Sequence, residues 1–396
     1  MSKGIEIKGF CNPQYKSVQD VFSKNFEQFD ECGASLAVTL NGKFVIDIWA
    51  GWVDATKTRS WDEDTIVCVF STTKIMTSIC ILMLSEQGLL DIDSPVSKYW
   101  PEFEQNGKEK ILIKHVLGHT AGIPSWDEDF SLKDFLNWEK MIKLLEKQKP
   151  WWDPGTKGGY HPFTFGFVLG ELVKRVTGKT LTAFFNENVA RPLSADFTIG
   201  IPNGYEKRVA DLISPNIPFN DLLEKGSIIY KTLGIPRGWT LGGDMTDEFV
   251  KFCNSQAFRQ YALPATNGFA NARSVARIAS AISCGGSIDN VHLLSQNTLD
   301  EALKEQFDGL GYVFIDGIRY GTGFGLPSNI MPIKNPNTLY WGGWGGSVCI
   351  MDMDAKLSIS YVMNKLRLQA PEESKKNKFA RDSRANQIVS AVYKAL

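Results

Sequence analysis

Histidine is scarce in this chain, with four in 396 residues, at His115, His119, His161 and His292. Only His115 and His119 stand at H-x-x-x-H spacing, and Val116 takes the place of the glutamate of H-E-x-x-H, so a histidine-built zinc site is not expected, nor any other cofactor. C-x-x-C is missing too. The seven cysteines, at 11, 32, 68, 80, 253, 284 and 349, are odd in number, and Cys68 and Cys80 lie in apolar runs. They read as buried free thiols, which points to a reducing compartment. Nor is there an excess of one charge. The formal net charge is −1 with 22% charged residues, which gives no electrostatic footprint for a nucleic-acid or membrane partner.

The N-terminal stretch MSKGIEIKGFCNPQYKS has no apolar signal-peptide region. The longest apolar run, IVCVFSTTKIMTSICILML, is broken by Ser, Thr and Lys, a poor membrane span but a good buried strand–turn–helix. A soluble, cytoplasmic protein is expected. There are no internal repeats, and the one biased tract is the short linker PEESKKNKFARDSR. G-x-S-x-G is absent, which excludes the nucleophile elbow of the α/β-hydrolases.

What is present starts with a helical pattern in SVQDVFSKNFEQFDEC, followed by two β-rich runs around Asn41-Gly42, a hairpin signal. Residues 75 to 87 read as a helix apolar on most faces, and therefore internal. From about 90 to 310 the pattern is mostly helical. SLKDFLNWEKMIKLLEKQ reads as one helix capped by Ser131, TFGFVLGELVKRVTG as a second stopped by Gly178, and NARSVARIASAISCGG as a third. KPWWDPGTKGGYHP between the first two is a loop. After about 315, TLYWGGWGGSVCIMDMDAKLSISYVMN reads as two strands around a turn near Asp354, and NQIVSAVYKAL closes the chain as an amphipathic segment. The expected fold is α/β (α+β). An antiparallel sheet flanked by helices is built from 1–88 and 313–396, a mainly helical domain (89–312) is inserted, and a cleft lies between them.

Chemistry concentrates at Ser71-Thr72-Thr73-Lys74, the only Ser-x-x-Lys in the sequence. A serine hydroxyl needs a neighbouring base, and residues three apart on a helix share a face. Ser71 would stand where TIVCVF ends and a helix begins, at the positive end of its dipole. Lys74 would be one turn into a buried helix, where burial lowers a lysine pKa. Alternatively, Ser71 is only an N-cap and Lys74 snorkels outward. His119 in GHTAGIP is a candidate for a Ser-His-Asp triad, or a loop histidine bonded to backbone. Tyr160, ending a Gly-rich loop, is either a packed aromatic or a general base near a lysine. WGGWGGS has four glycines that allow close backbone approach, as an oxyanion-hole element or a tightly packed strand.

Ser-x-x-Lys near 70, Tyr near 160 and a Gly-rich strand near 340 occur in the order of the serine β-lactamase and penicillin-binding-protein superfamily. The chain most resembles the class C β-lactamase-related esterases, the family VIII carboxylesterases. The resemblance runs from about residue 15 onward and includes LLDIDSPVSKYWPEF, ILIKHVLGHTAGIP and WDPGTKGGYHPFTFGFVLGELVKRVTG. It implies acylation of Ser71, with Lys74 and Tyr160 sharing proton transfer. It also implies an oxyanion hole from the N–H groups of Ser71 and Trp344, and a third motif at Trp341-Gly342-Gly343. Where β-lactamases of this class carry lysine and asparagine, this chain has Trp341 and Pro162. Neither can pair with a substrate carboxylate or amide, which favours neutral, apolar esters. Trp126, Trp152, His161 and Pro162 are candidates for the substrate pocket, with Trp151, Trp341 and Trp344 nearby. The expected partner is a small-molecule ester. β-Lactamase, D-aminopeptidase or acyltransferase chemistry on the same site is the alternative, and a non-catalytic binding or filament protein is the alternative of another class.

Overall fold

A computed structural model describes residues 5–215, 228–233, 245–313, 317–367 and 382–396. The chain opens with β1 (Ile7–Cys11), β2 (Gly33–Leu40) and β3 (Lys43–Gly51). Asn41 and Gly42 turn the β2–β3 hairpin at φ 50° and 76°, the left-handed conformation these two residue types tolerate best. Three short strands follow, β4 (Val67–Cys68), β5 (Phe197–Ile199) and β6 (Gly268–Ala270), and then a small hairpin of β7 (Ser287–Ile288) and β8 (Val291–His292). The last strands are β9 (Arg319–Tyr320), β10 (Gly325–Leu326), β11 (Thr338–Gly342), β12 (Val348–Asp352) and β13 (Leu357–Met363).

Eight of these strands form one antiparallel sheet in the order β1-β3-β2-β13-β12-β11-β10-β9. The early and late strands meet at β2 and β13, paired from Ala34–Met363 to Leu40–Leu357. Main-chain bonding thus joins segments from both ends of the sequence. β4, β6 and β5 make a second, three-stranded sheet. The Gly-rich segment, expected to hold two strands, holds three. Gly342 pairs with Val348, and the five residues between them turn the chain, with Gly345 and Gly346 at φ 84° and 131°, a region that favours glycine.

Among the helices of the described residues, six concern the site and its sheet: α1 (Lys16–Gln28), α2 (Thr73–Glu86), α3 (Trp138–Lys147), α4 (Thr164–Thr177), α5 (Ala272–Ser283) and α6 (Ser383–Ala395). Side chains alternate across β13, so its two faces meet different helices. Tyr361 lies edge-on to Phe22 of α1 at 6.4 Å. Ser358, on the other face, donates to the carbonyl of Ala276 in α5 at 3.0 Å. α5 had been expected inside the helical insertion. Its row of small apolar residues instead packs on the large sheet, with Ser35 accepting from the Ala272 N–H at 3.1 Å. The single helix expected after Ser131 is two. Ser131 caps Leu132–Phe135, and Asn137 caps the restart of α3 by accepting from Lys140 N at 3.1 Å.

α2 is buried at every position from Thr73 to Leu84 and packs against α4, whose Thr164–Val173 are also buried. A helix with so little polar face is stable only inside a protein. Among the described residues no helix is long and apolar enough to cross a membrane. The seven cysteines are unpaired, with Cys11 and Cys284 only half-buried rather than buried like the rest. Residues 371–381 of the charged tract lie outside the described residues.

Candidate active site

β4 delivers the chain to Ser71. It pairs with β6, and the ladder is extended by Val69 N donating to Gly268 O at 2.8 Å. Phe70 then takes a positive φ of 44°. For a bulky residue this costs about 1–3 kcal/mol and persists only where packing imposes it. Here Phe70 is buried, stacked on Phe249 at 6.0 Å and edge-on to Trp344 at 5.4 Å. The sharp bend throws Ser71 into a single 3₁₀ turn, Phe70–Thr72, that runs into α2. Thr73 Oγ1, accepting from Gly268 N at 2.8 Å, pins that turn to β6.

Two side chains reach the Ser71 hydroxyl. Tyr160 donates its phenolic O–H to Ser71 Oγ at 2.6 Å, and Lys74 Nζ lies 3.2 Å from the same oxygen. Lys74 is 1% exposed, and its Nζ also donates to the carbonyls of Pro162 at 2.8 Å and Ala265 at 2.9 Å. Among the described residues no carboxylate faces it. Burial therefore drives its pKa well below the ordinary lysine value, and no ion pair opposes the shift. The Nζ also sits 4.9 Å from the Tyr160 ring centre. The three residues, drawn from the 3₁₀ turn, the first turn of α2 and the distant loop before α4, thus form one compact cluster. The snorkelling alternative for Lys74 does not hold.

The Gly-rich turn between β11 and β12 presses on the same strand. A Cβ on Gly343 would stand 2.2 Å from the Val69 carbonyl, so only glycine fits there. Ser347 ends the turn. Its Oγ donates to Val69 O at 2.9 Å and lies 3.0 Å from Thr72 Oγ1, tying the turn to both sides of Ser71. From behind, Arg384 at the start of α6 donates to Gly345 O at 2.7 Å. This guanidinium is fully buried, and each of its N–H groups has an acceptor: Glu31, the Lys365 carbonyl, Gly345 and Asp382. Glu31 also accepts from the Tyr361 hydroxyl.

The pocket candidates take other places. Trp126 is core, edge-on to Phe130 and Phe167 at 5.3 and 5.6 Å. Trp152 is buried behind the Tyr160 loop, its indole N–H donating to Thr120 O at 3.3 Å. Pro162 is buried and serves through its carbonyl, as the acceptor from Lys74. His161 is fully buried and bonded to backbone, accepting from Ile123 N at 3.1 Å and facing Gly159 O at 2.6 Å. Desolvation takes its pKa down to about 3. Trp341 is 3% exposed, and its indole stacks on His119 at 5.3 Å. His119 is bonded to the chain rather than to a serine, accepting from His161 N at Nδ1. Tyr160, not a histidine, occupies the position beside Ser71. Among the described residues no three His, Cys, Asp or Glu side chains come together as a metal site.

Sequence reasoning passed over the Ala265 carbonyl, Ser347 and the Arg384–Glu31 pair. Ser347 had a signal, as the one hydroxyl closing WGGWGGS. The others had none, since any residue supplies a carbonyl and Glu31 and Arg384 are far apart in the chain.

A serine held at a strand-to-helix bend, with a buried lysine one turn on and a tyrosine from a separate loop, agrees with the family comparison. The family model described as Beta-lactamase matches residues 22–381, and the chain belongs to that family. It is a hydrolase of the serine β-lactamase and penicillin-binding-protein superfamily. Among its relatives is the esterase/β-lactamase LipL of Mycobacterium tuberculosis, 31% identical over 371 residues, which cover 92% of this chain and 84% of LipL. A family VIII carboxylesterase crystal structure superposes with a TM-score of 0.87 at 31% identity, covering 99% of this chain and 100% of that one. A penicillin-binding-protein homologue from Caulobacter crescentus superposes with a TM-score of 0.86 at 29% identity, covering 99% and 100%.

Proposed function

We propose that the protein is a serine carboxylesterase that hydrolyses small to medium acyl esters through an acyl-enzyme on Ser71. The observation that carries this reading is the double approach to Ser71 Oγ, by Tyr160 at 2.6 Å and Lys74 at 3.2 Å. A neutral lysine amine has two N–H groups and one lone pair. The Pro162 and Ala265 carbonyls take both N–H groups, which turns the lone pair toward Ser71. Tyr160 donates to Ser71 Oγ, so the serine's own proton is directed at Lys74. Lys74 then accepts that proton as Oγ attacks the ester carbonyl. The negative charge on the carbonyl oxygen is met by the N–H groups of Ser71 and Trp344. Tyr160 relays a proton to the departing alcohol. Water, activated by the same pair, releases the acid and restores Ser71.

The substrate class follows from what surrounds the serine. Trp341 brings an uncharged ring where the related β-lactamases have a lysine, and Pro162 brings no amide. Phe70, Phe249 and Trp344 form an aromatic cluster beside Ser71. Such walls suit neutral acyl groups and leave β-lactam turnover secondary. Seven unpaired cysteines fit a reducing compartment, the cytoplasm.

The test is hydrolysis of p-nitrophenyl butyrate by wild type and Ser71→Ala. The variant should fall to background and lose labelling by a fluorophosphonate probe. Undiminished turnover would end the reading. Nitrocefin hydrolysis as fast as ester hydrolysis would move the substrate to β-lactams.

A further inference from the structure

Tyr160 sits in a segment, residues 148–163, with no helix or strand of its own. Something else must fix a phenol to within a few tenths of an ångström of Ser71. His119 does so from two directions. Its carbonyl accepts from Gly159 N at 2.9 Å, and its ring Nδ1 accepts from His161 N at 3.2 Å. The peptide groups on both sides of Tyr160 therefore hang on one residue. The ring does a second job. It is stacked between Phe165 at 5.1 Å and Trp341 at 5.3 Å, each tilted by 30°, and it meets Tyr160 and Tyr320 at 5.0 Å.

The bracket works only with a neutral ring. Nδ1 is an acceptor, so the single ring proton belongs on Nε2. His161 takes the opposite tautomer: Nε2 accepts from Ile123 N, and Nδ1–H faces Gly159 O. The titratable groups packed around His119 are Lys74, Tyr160, His161 and Tyr320. Burial first, then His161 and Lys74, hold the pKa of His119 well below the ordinary histidine value. His119 itself is at φ 57°, a conformation asparagine tolerates well.

We propose that His119 is a positioning residue for the Ser71 reaction, a neutral imidazole that acts through Tyr160 by holding the backbone on both sides of the phenol and stacking beside its ring. This rests on the reading of Tyr160 as an acid–base group for Ser71.

The experiment compares His119→Asn with His119→Gln on p-nitrophenyl butyrate, reading kcat and KM separately, with thermal midpoints and fluorophosphonate labelling to certify folded sites. The asparagine amide oxygen superposes on Nδ1 and keeps the acceptor, whereas that of glutamine falls near Nε2 and does not. Glutamine should lower kcat by about 10², the loss a misplacement of about 1 Å brings, with KM little changed. Asparagine should recover most of that loss. In a Tyr160→Phe background, glutamine should add almost nothing, because the group it positions is gone. Equal turnover in the two His119 variants, or losses that multiply in the double variant, would overturn the proposal while leaving the Ser71 reading intact. Wild-type turnover in Tyr160→Phe alone would instead remove the reading of Tyr160, and the positioning role with it.

Discussion

Among the described residues two lysines are buried, and the difference between them separates structure from chemistry. Lys108 donates to three backbone carbonyls, Gln105 at 2.6 Å, Glu146 at 2.8 Å and Gln148 at 2.7 Å. Two of these belong to the C-terminal end of α3, where carbonyls lack helical partners and a cation is favoured. Three fixed acceptors require three N–H groups, which only the ammonium form has. Burial lowers the Lys108 pKa to about 8, with Glu146 and Glu109 resisting the shift, so the group remains charged at neutral pH. Lys74 differs by one partner. Its third neighbour is a hydroxyl, which can donate as readily as accept, and no carboxylate resists the fall in its pKa. On the proposed reading, exchanging one carbonyl for a hydroxyl turns a cap into a base.

Substitution of each lysine should break the comparison open. Lys74→Met should lower kcat for p-nitrophenyl butyrate by about 10²–10⁴, the range for a lost general base, in a protein that still melts cooperatively. Tyr160→Phe should lower it by about 10², since the phenol assists a proton that Lys74 already holds. Lys108→Met should leave turnover per folded molecule unchanged and cost about 1–3 kcal/mol in denaturant unfolding, because buried carbonyls lose their donor. A similar kcat loss in Lys108→Met would erase the distinction. The smallest effects are in pH. The rate should rise as pH climbs through the lowered Lys74 pKa and then level off, with the limb below the ordinary lysine range. Between the lowered folded pKa and the unfolded one, the unfolded chain binds the extra proton. Wild type should therefore gain stability relative to Lys74→Met as pH rises across that window. Chemical denaturation of both proteins at a series of pH values checks the sign.

Much of this was legible in the chain because it is local. Asn41-Gly42 announces its hairpin, Gly178 its helix stop, and Ser71 and Lys74 share a helix face by spacing alone. Tyr160 and the Gly-rich strand needed the order of motifs to bring them to the serine, since nothing near either residue says what it will touch. Other features were not readable because they depend on packing. The positive φ of Phe70 is imposed by Phe249 and Trp344, residues far along the sequence. α5 has an ordinary amphipathic pattern, and only the sheet decides that it packs there rather than in the helical layer. Trp126 and Trp152, expected in the pocket, are buried for a related reason. A tryptophan near a cleft in sequence, such as Trp126, is large enough that core packing claims it first.

The Arg384 guanidinium has consequences for how this protein ages. It joins the approach to β2, the end of β13, the start of α6 and the turn beside Ser71 with no donor left over, so none of these can loosen while the others stay put. Partial fraying of α6 would leave a buried charge uncompensated, an intermediate too costly to accumulate. A heated or stored sample should therefore not slow down gradually as its sites degrade. It should become a falling number of fully active molecules, with KM constant while the titre of probe-reactive Ser71 declines.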